Sequence, residues 1–376
     1  MRWAIVGLII AVALIGYLLL PTPVDSPVAT YELLASSGPP EFLTVLGPQD
    51  FDFPQDHGPH LDYQTEWWYY TGNLTADSGE RFGYQLTIFR RGLTQGYLQR
   101  KSNFATNQIY FGHLALTDIG KGEHVAMERF ERGSVGFAGA DGDPLTVYLG
   151  DWRVESLDDS GSKVRLQASE GDFALDLALS ATKPIVAHGE QGFSPKGEAV
   201  GNASYYLSFT DMQTQGRLDI GDQVVEVTGS SWFDHEWGTS ALGPEATGWD
   251  WYGLQLDDGR ELMLFQIRTK DGQVEQVSGG TLVEPDGSSR WLTADEFSIE
   301  AISSWTSDAT GITYPSVWEI VIPEEDLELV VEPWLKDQEM KLSIQYWEGA
   351  VRVGGSVSGH GYVELTGYSG SMQGLF

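Results

Sequence analysis

The 376-residue chain contains no cysteine. Disulfides, thiolate-bound metals and a cysteine nucleophile are thereby excluded, since each needs the sulfur. Basic residues are scarce as well, 22 Lys and Arg against 54 Asp and Glu, for a formal net charge of -32. This argues against a nucleic-acid partner, because phosphate binding needs a basic footprint. The acidic excess reads as a solvated surface that favours solubility. Signature loops are also missing. Gly355-Ser356-Val357-Ser358-Gly359 puts valine where a nucleophile elbow needs serine, and there is no phosphate loop or dinucleotide fingerprint. Hydrolysis by those routes is disfavoured, and no cofactor is expected.

What is present is glycine (45 residues) within a composition that is 41% hydrophobic and 12% aromatic. That mixture suits many short strands joined by tight turns. Met1 to Leu20 is an apolar run with one charge, Arg2. Its length is borderline between a signal-peptide core and a spanning helix. Residues 1–20 are therefore expected to be a signal peptide or an amino-terminal membrane anchor, with Arg2 placing the amino terminus inside. Residues 21–40, rich in proline, serine and threonine, read as a linker. The globular part is expected on the periplasmic or extracellular face, tethered to the inner membrane if the run is uncleaved.

From Phe51 onward the pattern alternates. In Thr65 to Leu74, Glu66, Trp68 and Tyr70 share one face of an extended strand while Trp67 and Tyr69 share the other. With both faces aromatic, the strand should be covered on both sides, as in a barrel. Arg81 to Arg90 reads as its return strand. Further strands are expected at Gln108–Leu116, Leu145–Leu149, Trp152–Glu155, Lys163–Ala168, Phe173–Leu179, Ala203–Phe209 and Arg217–Ile220. Such spacing without helical periodicity signals a sandwich or an antiparallel barrel. From Val224 the pattern restarts: Trp249-Asp250-Trp251-Tyr252, a turn at Asp257-Asp258-Gly259, and Glu261 to Arg268 echo Glu66 to Arg90. Two β-domains are expected, 41–223 and 224–376. Thr293-Ala294-Asp295-Glu296 reads as a capped helical turn.

Chemistry concentrates around Ser231 to Arg268. In Asp234-His235-Glu236-Trp237, period two puts His235 and Trp237 on one face and the two carboxylates on the other. A structural strand with a bonded histidine and a core tryptophan fits that pattern too. Asp250 shares its face with Tyr252 and Leu254. If that face lines an apolar cavity, desolvation would raise its pKa towards that of a proton donor; if it points outward, Asp250 is an edge carboxylate. Glu66 has the same two readings. His57, His60, His113 and His235 are possible metal ligands, but Gly58-Pro59 between the first two suits a turn, and no metal is assigned.

These segments resemble the carotenoid 1,2-hydratase/AttH-like family. The resemblance rests on P-Q-D-H-G-P-H, T-E-W-W-Y-Y-T-G-N-L, G-Y-Q-L-T-I-F-R, F-G-H-L-A-L-T-D, S-W-F-D-H-E-W-G, G-W-D-W-Y-G-L-Q-L-D-D-G and G-Y-V-E-L-T-G-Y. It implies an all-β chain of two tandem lipocalin-like antiparallel barrels that take a large apolar ligand. The leading expectation is an exported, AttH-type protein that binds a lipid, isoprenoid or polyene and works with an ABC-transporter permease. The alternative is a cofactor-free hydratase that adds water to an isoprenoid alkene. In it Asp250 is the acid, His235 orients it or activates water, and Trp237, Trp249, Trp251, Tyr252, Glu66, Trp68 and Tyr70 contact the ligand.

Overall fold

The computed structural model describes residues 42–94, 102–240 and 242–372; the expected helix over residues 1–20 and the linker at 21–40 lie outside them. Among the described residues no helix is long and apolar enough to cross a membrane. The fold is all-β. Its first half comprises β1 (Thr65–Ala76), β2 (Arg81–Gly92), β3 (Gln108–Asp118), β4 (Glu123–Arg132), β5 (Ala138–Gly142), β6 (Leu145–Leu149), β7 (Trp152–Ser156), β8 (Lys163–Glu170), β9 (Phe173–Ala181), β10 (Val186–Ala187), β11 (Phe193–Pro195), β12 (Ala203–Ile220) and β13 (Gln223–Ser240). The second half comprises β14 (Ala246–Leu256), β15 (Glu261–Thr269), β16 (Gly279–Val283), β17 (Ser289–Thr293), β18 (Ser298–Thr306), β19 (Thr313–Ile322), β20 (Leu327–Pro333), β21 (Glu339–Lys341), β22 (Gln345–Gly355) and β23 (Gly359–Leu365).

The first sheet runs in the order β4-β3-β2-β1-β13-β12-β9-β8-β7-β6-β5, with β10 and β11 against β12. It curls until β2, β3 and β4 meet β6. The space enclosed is filled by alternate side chains such as Trp68, Tyr70, Leu86, Leu114, Trp152 and Leu177. The second sheet runs β17-β16-β15-β14-β23-β22-β20-β19-β18, with β21 against β22, and wraps its own core of Tyr252, Leu264, Trp318, Trp347 and Val363. Two near-barrels in tandem are thus present. The echo between the halves is seen in their opening hairpins, β1–β2 and β14–β15, each closed by a glycine at positive φ (Gly79 at 89°, Gly259 at 85°) where a side chain would be strained.

Some details differ from expectation. Ala203–Phe209 and Arg217–Ile220 belong to one 18-residue strand, β12, with an irregularity between Phe209 and Met212. The expected division at 223/224 falls inside the β12–β13 hairpin, where Ile220 pairs with Gln223, so β13 belongs to the first sheet. At Thr293 the capping hydrogen bonds do form, with the Thr293 amide 2.8 Å from Glu296 Oε2, but the chain turns straight into a strand instead of a helix.

A third cluster lies between the two sheets. Tyr69, Tyr206 and Trp232 of the first meet Trp251, Met263, Phe265 and Tyr362 of the second. The aromatic second faces of β1 and β14 are therefore buried against the other sheet.

Candidate functional site

Period two sorts the expected site residues into three places. On β1 and β13, Glu66, Trp68, Tyr70, His235 and Trp237 point into the first sheet, and Trp67, Tyr69, Trp232, Asp234 and Glu236 point towards the second. On β14, Tyr252 joins the core of the second sheet with Asp250 on its face, while Trp249 and Trp251 face the first sheet.

Inside the first sheet Glu66 is fully buried. It accepts Arg90 Nε at 2.7 Å and approaches His60 Nδ1 at 2.8 Å and His235 Nε2 at 2.9 Å. Burial alone would raise its pKa, but Arg90 and the histidine hydrogen bonds more than offset that and hold it well below the usual carboxylate range. The His60 ring stacks on Trp237 at 3.7 Å. These three groups have the chemistry of metal ligands, yet their atoms are spaced as hydrogen-bond partners. Ligands on a zinc ion at about 2.0–2.1 Å would stand roughly 3.3 Å apart. Arg90 already neutralises the carboxylate. The cluster is a hydrogen-bonded network, with His235 Nδ1 left over, that fixes the segment before β1 against the sheet.

Asp250 is buried, and burial raises its pKa. Its carboxylate is occupied, however, by Arg268 Nε at 2.9 Å and by the Tyr368 hydroxyl at 3.0 Å. Glu66–Arg90 and Asp250–Arg268 are thus counterparts, each joining an acid on the opening strand to an arginine at the end of the next. Asp250 lines no cavity shared with Trp249 and Trp251, because it leaves the strand on the opposite face.

The cavity that those tryptophans do line lies between the sheets, and its interior space is small, about 80 Å³. Its walls are Trp67, Tyr69, Phe89, Tyr206, Trp249, Trp251, Phe265, Leu242 and Ile267; its polar groups are Lys196, Asp234, Glu236 and Glu364. Lys196 sits 3.1 Å from Glu236 Oε1 and 4.5 Å from the Phe265 ring. Asp234 accepts Tyr206 Oη at 2.7 Å, Trp232 Nε1 at 2.6 Å and the Ser208 hydroxyl, and burial nonetheless pushes it up to about 7. Glu364 is pushed up to about 7, by burial first and then by the charges of Asp234, Glu236 and Asp250. The hydrogen bond described for it engages one oxygen only, Trp249 Nε1 donating to Oε2 at 2.7 Å. Of the two raised acids, Asp234 has both oxygens occupied, so Glu364 is the one placed to give a proton to a bound molecule.

Residues 44–368 match the AttH-like family. The chain belongs to the AttH-like family. The crystal structure of an AttH protein from Nitrosomonas europaea superposes with a TM-score of 0.79 at 34% identity, covering 87% of this chain and 99% of that one. Kievitone hydratase from Nectria haematococca shares the fold, with a TM-score of 0.66 at 17% identity over 88% of this chain and 98% of that one. Dehydratase asqC of Emericella nidulans is 25% identical over 194 residues, which is 48% of this chain and 52% of that protein, so the chain spans about half the length of this curated relative.

In this AttH-like protein, alternation correctly separated His235 and Trp237 from Asp234 and Glu236, and it is the carboxylate side that reaches the cavity. Glu364 lies in a segment that carried only the family resemblance, and Lys196 in one that sequence analysis did not single out. A signal for Glu364 was present: in Tyr362-Val363-Glu364-Leu365 the apolar residues at 363 and 365 mark one buried face, leaving a tyrosine and an acid together on the other.

Proposed function

We propose that this AttH-like protein is a cofactor-independent lyase of the hydratase/dehydratase type. It acts on a large, uncharged, alkene-bearing molecule whose reacting end enters the cavity between the two sheets, with Glu364 as its acid. The observation that carries this reading is an acid raised to about 7 in the wall of an otherwise aromatic cavity. Such an acid is protonated at and below neutrality and can give its proton to a carbon of the double bond, breaking the π bond. Ring faces of Trp67, Trp249 and Trp251 then stabilise the developing cation. Water adds to the cation and returns a proton to the Glu364 carboxylate, so the acid is regenerated and no cofactor is consumed. Dehydration is the same path reversed.

The dehydratase among its relatives supports the reaction class. Aromatic walls with few polar groups favour an isoprenoid or polyene, of which an acyclic carotenoid is one example. The apolar run at residues 1–20 supports an exported, membrane-tethered location where such a substrate would be met beside lipid, and a permease partner belongs to that same reading. Incubating the full chain with isoprenoid alkenes in ¹⁸O-labelled water tests it. Label should enter the product with the unaltered chain and be lost with Glu364→Gln while binding persists. Binding without label by the unaltered chain would reduce the protein to a carrier.

A further inference from the structure

Of the fifteen buried side-chain atoms among the described residues that lack a well-formed hydrogen bond, six gather in one place between the sheets: Tyr69 Oη, Thr71 Oγ1, Gln85 Oε1, His113 Nε2 and both carboxyl oxygens of Glu348. Tyr69 and Tyr346 reach the Glu348 carboxyl loosely, which leaves Thr71 Oγ1, Gln85 Oε1 and His113 Nε2 unmatched beside it. All five side chains are more than nine-tenths buried. Strand register makes them neighbours. On the first sheet Thr71 stands opposite Gln85, and Tyr69, Thr87 and His113 form a row across β1, β2 and β3. Gln85 donates its amide to Thr87 Oγ1 at 2.5 Å, which leaves its carbonyl oxygen over. On the second sheet Glu348 stands opposite Glu364, and Glu364 stands opposite Trp251. The two sides meet where His113 Nδ1 lies 2.7 Å from Tyr346 Oη and where the Tyr69 ring meets Trp251 at 5.4 Å.

Leaving one buried polar atom unmatched is costly, and native proteins rarely do it. Three such atoms beside a loosely held carboxyl are explained if something small and polar matches them. Buried waters do this, typically making about three hydrogen bonds each to such groups. The set is balanced for it, with hydroxyl groups able to give or take, an imidazole nitrogen, an amide oxygen and a carboxyl. Burial holds His113 neutral by pushing it down to about 3, and burial with the neighbouring Glu364 raises Glu348 well above the usual carboxylate range, so neither brings a charge.

We propose that the compartment bounded by Tyr69, Thr71, Gln85, His113 and Glu348 is a water-binding site that holds the second reactant of the lyase, delivered to the cavity past Tyr69 and Glu364. This rests on the lyase reading for its purpose and on the orphaned atoms for its existence. Tyr69 and Glu364 belong to both spaces, since each lines the cavity and each neighbours Glu348. Water held there stands behind the acid, on the side from which it can reach the cation that Glu364 creates. The aromatic walls elsewhere keep bulk water away from that cation.

The experiment compares the full chain with Thr71→Val, an isosteric change, and with Glu348→Leu. A high-resolution crystal structure should show ordered water bonded to Glu348, Tyr69 and Gln85. Thr71→Val should lower Tm by about 2 °C through loss of a water partner. No ordered water there, with Thr71→Val raising Tm, would mean a dry compartment and overturn the inference. In the activity arm, both variants should bind retinol, used as an uncharged polyene probe, as the unaltered chain does, yet incorporate ¹⁸O from water at least tenfold more slowly. Ordered water with undiminished incorporation would overturn the delivery role. Ordered water in a chain that never incorporates label would overturn the lyase reading and the delivery role with it, while leaving the water site standing.

Discussion

Glu348 and Glu364 are direct cross-strand partners on β22 and β23, two acids side by side. Burial raises both acids first; the charge of Glu364 raises Glu348 further, and those of Asp234, Glu236 and Asp250 raise Glu364, to about 7. The sign of the stability effect is fixed. An acid whose folded pKa exceeds its unfolded value binds more protons folded than unfolded, so its contribution is fully present below about 4.3 and falls away as pH rises towards 7. Urea unfolding between pH 5 and 8 should show stability declining with pH, and Glu364→Gln should flatten that slope. Turnover should follow the same group, with kcat falling as pH rises through about 7 because the proton to be donated is gone. A kcat that rises through that window would sink the assignment of Glu364 as acid.

How much of this was readable from one dimension depended on which relationships are local. Alternation along Trp67 to Tyr70 and Trp249 to Tyr252 is a property of a single strand, so the face sharing of Trp68 with Tyr70, and of Asp250 with Tyr252, could be stated from sequence. Which face meets what is decided by partners distant in sequence: Trp251 donates its indole N–H to Tyr206 Oη, 45 residues earlier, at 2.8 Å across the sheets. The cavity is likewise built from β1, β2, β12, β13, β14, β15 and β23 together, and no periodicity reports that juxtaposition. Asp250 drew attention as an acid among tryptophans, but the tryptophans beside it in sequence are on the other side of the strand in space.

Removing Arg90 should expose the cost of a buried charge. Arg90 is fully buried and its guanidinium also donates to Gln108 Oε1 and to the carbonyls of His60 and Tyr63. Arg90→Met would leave Glu66 without its counter-ion. We expect a loss of about 3–5 kcal/mol by chemical denaturation, and part of that should return when Glu66→Leu is added. A single variant as stable as the unaltered chain would mean that the pair does not hold the segment before β1.

Asp250→Asn offers the converse. The substitution keeps the volume but removes the charge that faces Arg268, so a loss of about 2 kcal/mol in stability is expected. Retinol binding, read by tryptophan quenching, should change by less than twofold. Asp250 is also one of the charges that raise Glu364, so the kcat profile should move to slightly lower pH without collapsing. Abolished turnover with normal stability would return the acid's role to Asp250.

The floor of the cavity can be moved without touching a polar group. Gly253 lies two residues beyond Trp251 on the same face of β14, and a Cβ built there would come within 2.4 Å of the Trp251 ring. That is too close for any real contact, and the indole, being a side chain, is what must yield. It cannot retreat towards Tyr206, which already holds its N–H, or through Tyr69, whose ring meets it edge to face. Gly253→Ala should therefore tilt the indole into the cavity at a stability cost of about 1–3 kcal/mol. Affinity for retinol should fall at least tenfold while the pH midpoint assigned to Glu364 stays in place. If affinity is unchanged in a folded Gly253→Ala chain, the molecule is not bound against Trp251, and the space between the sheets is not the binding site.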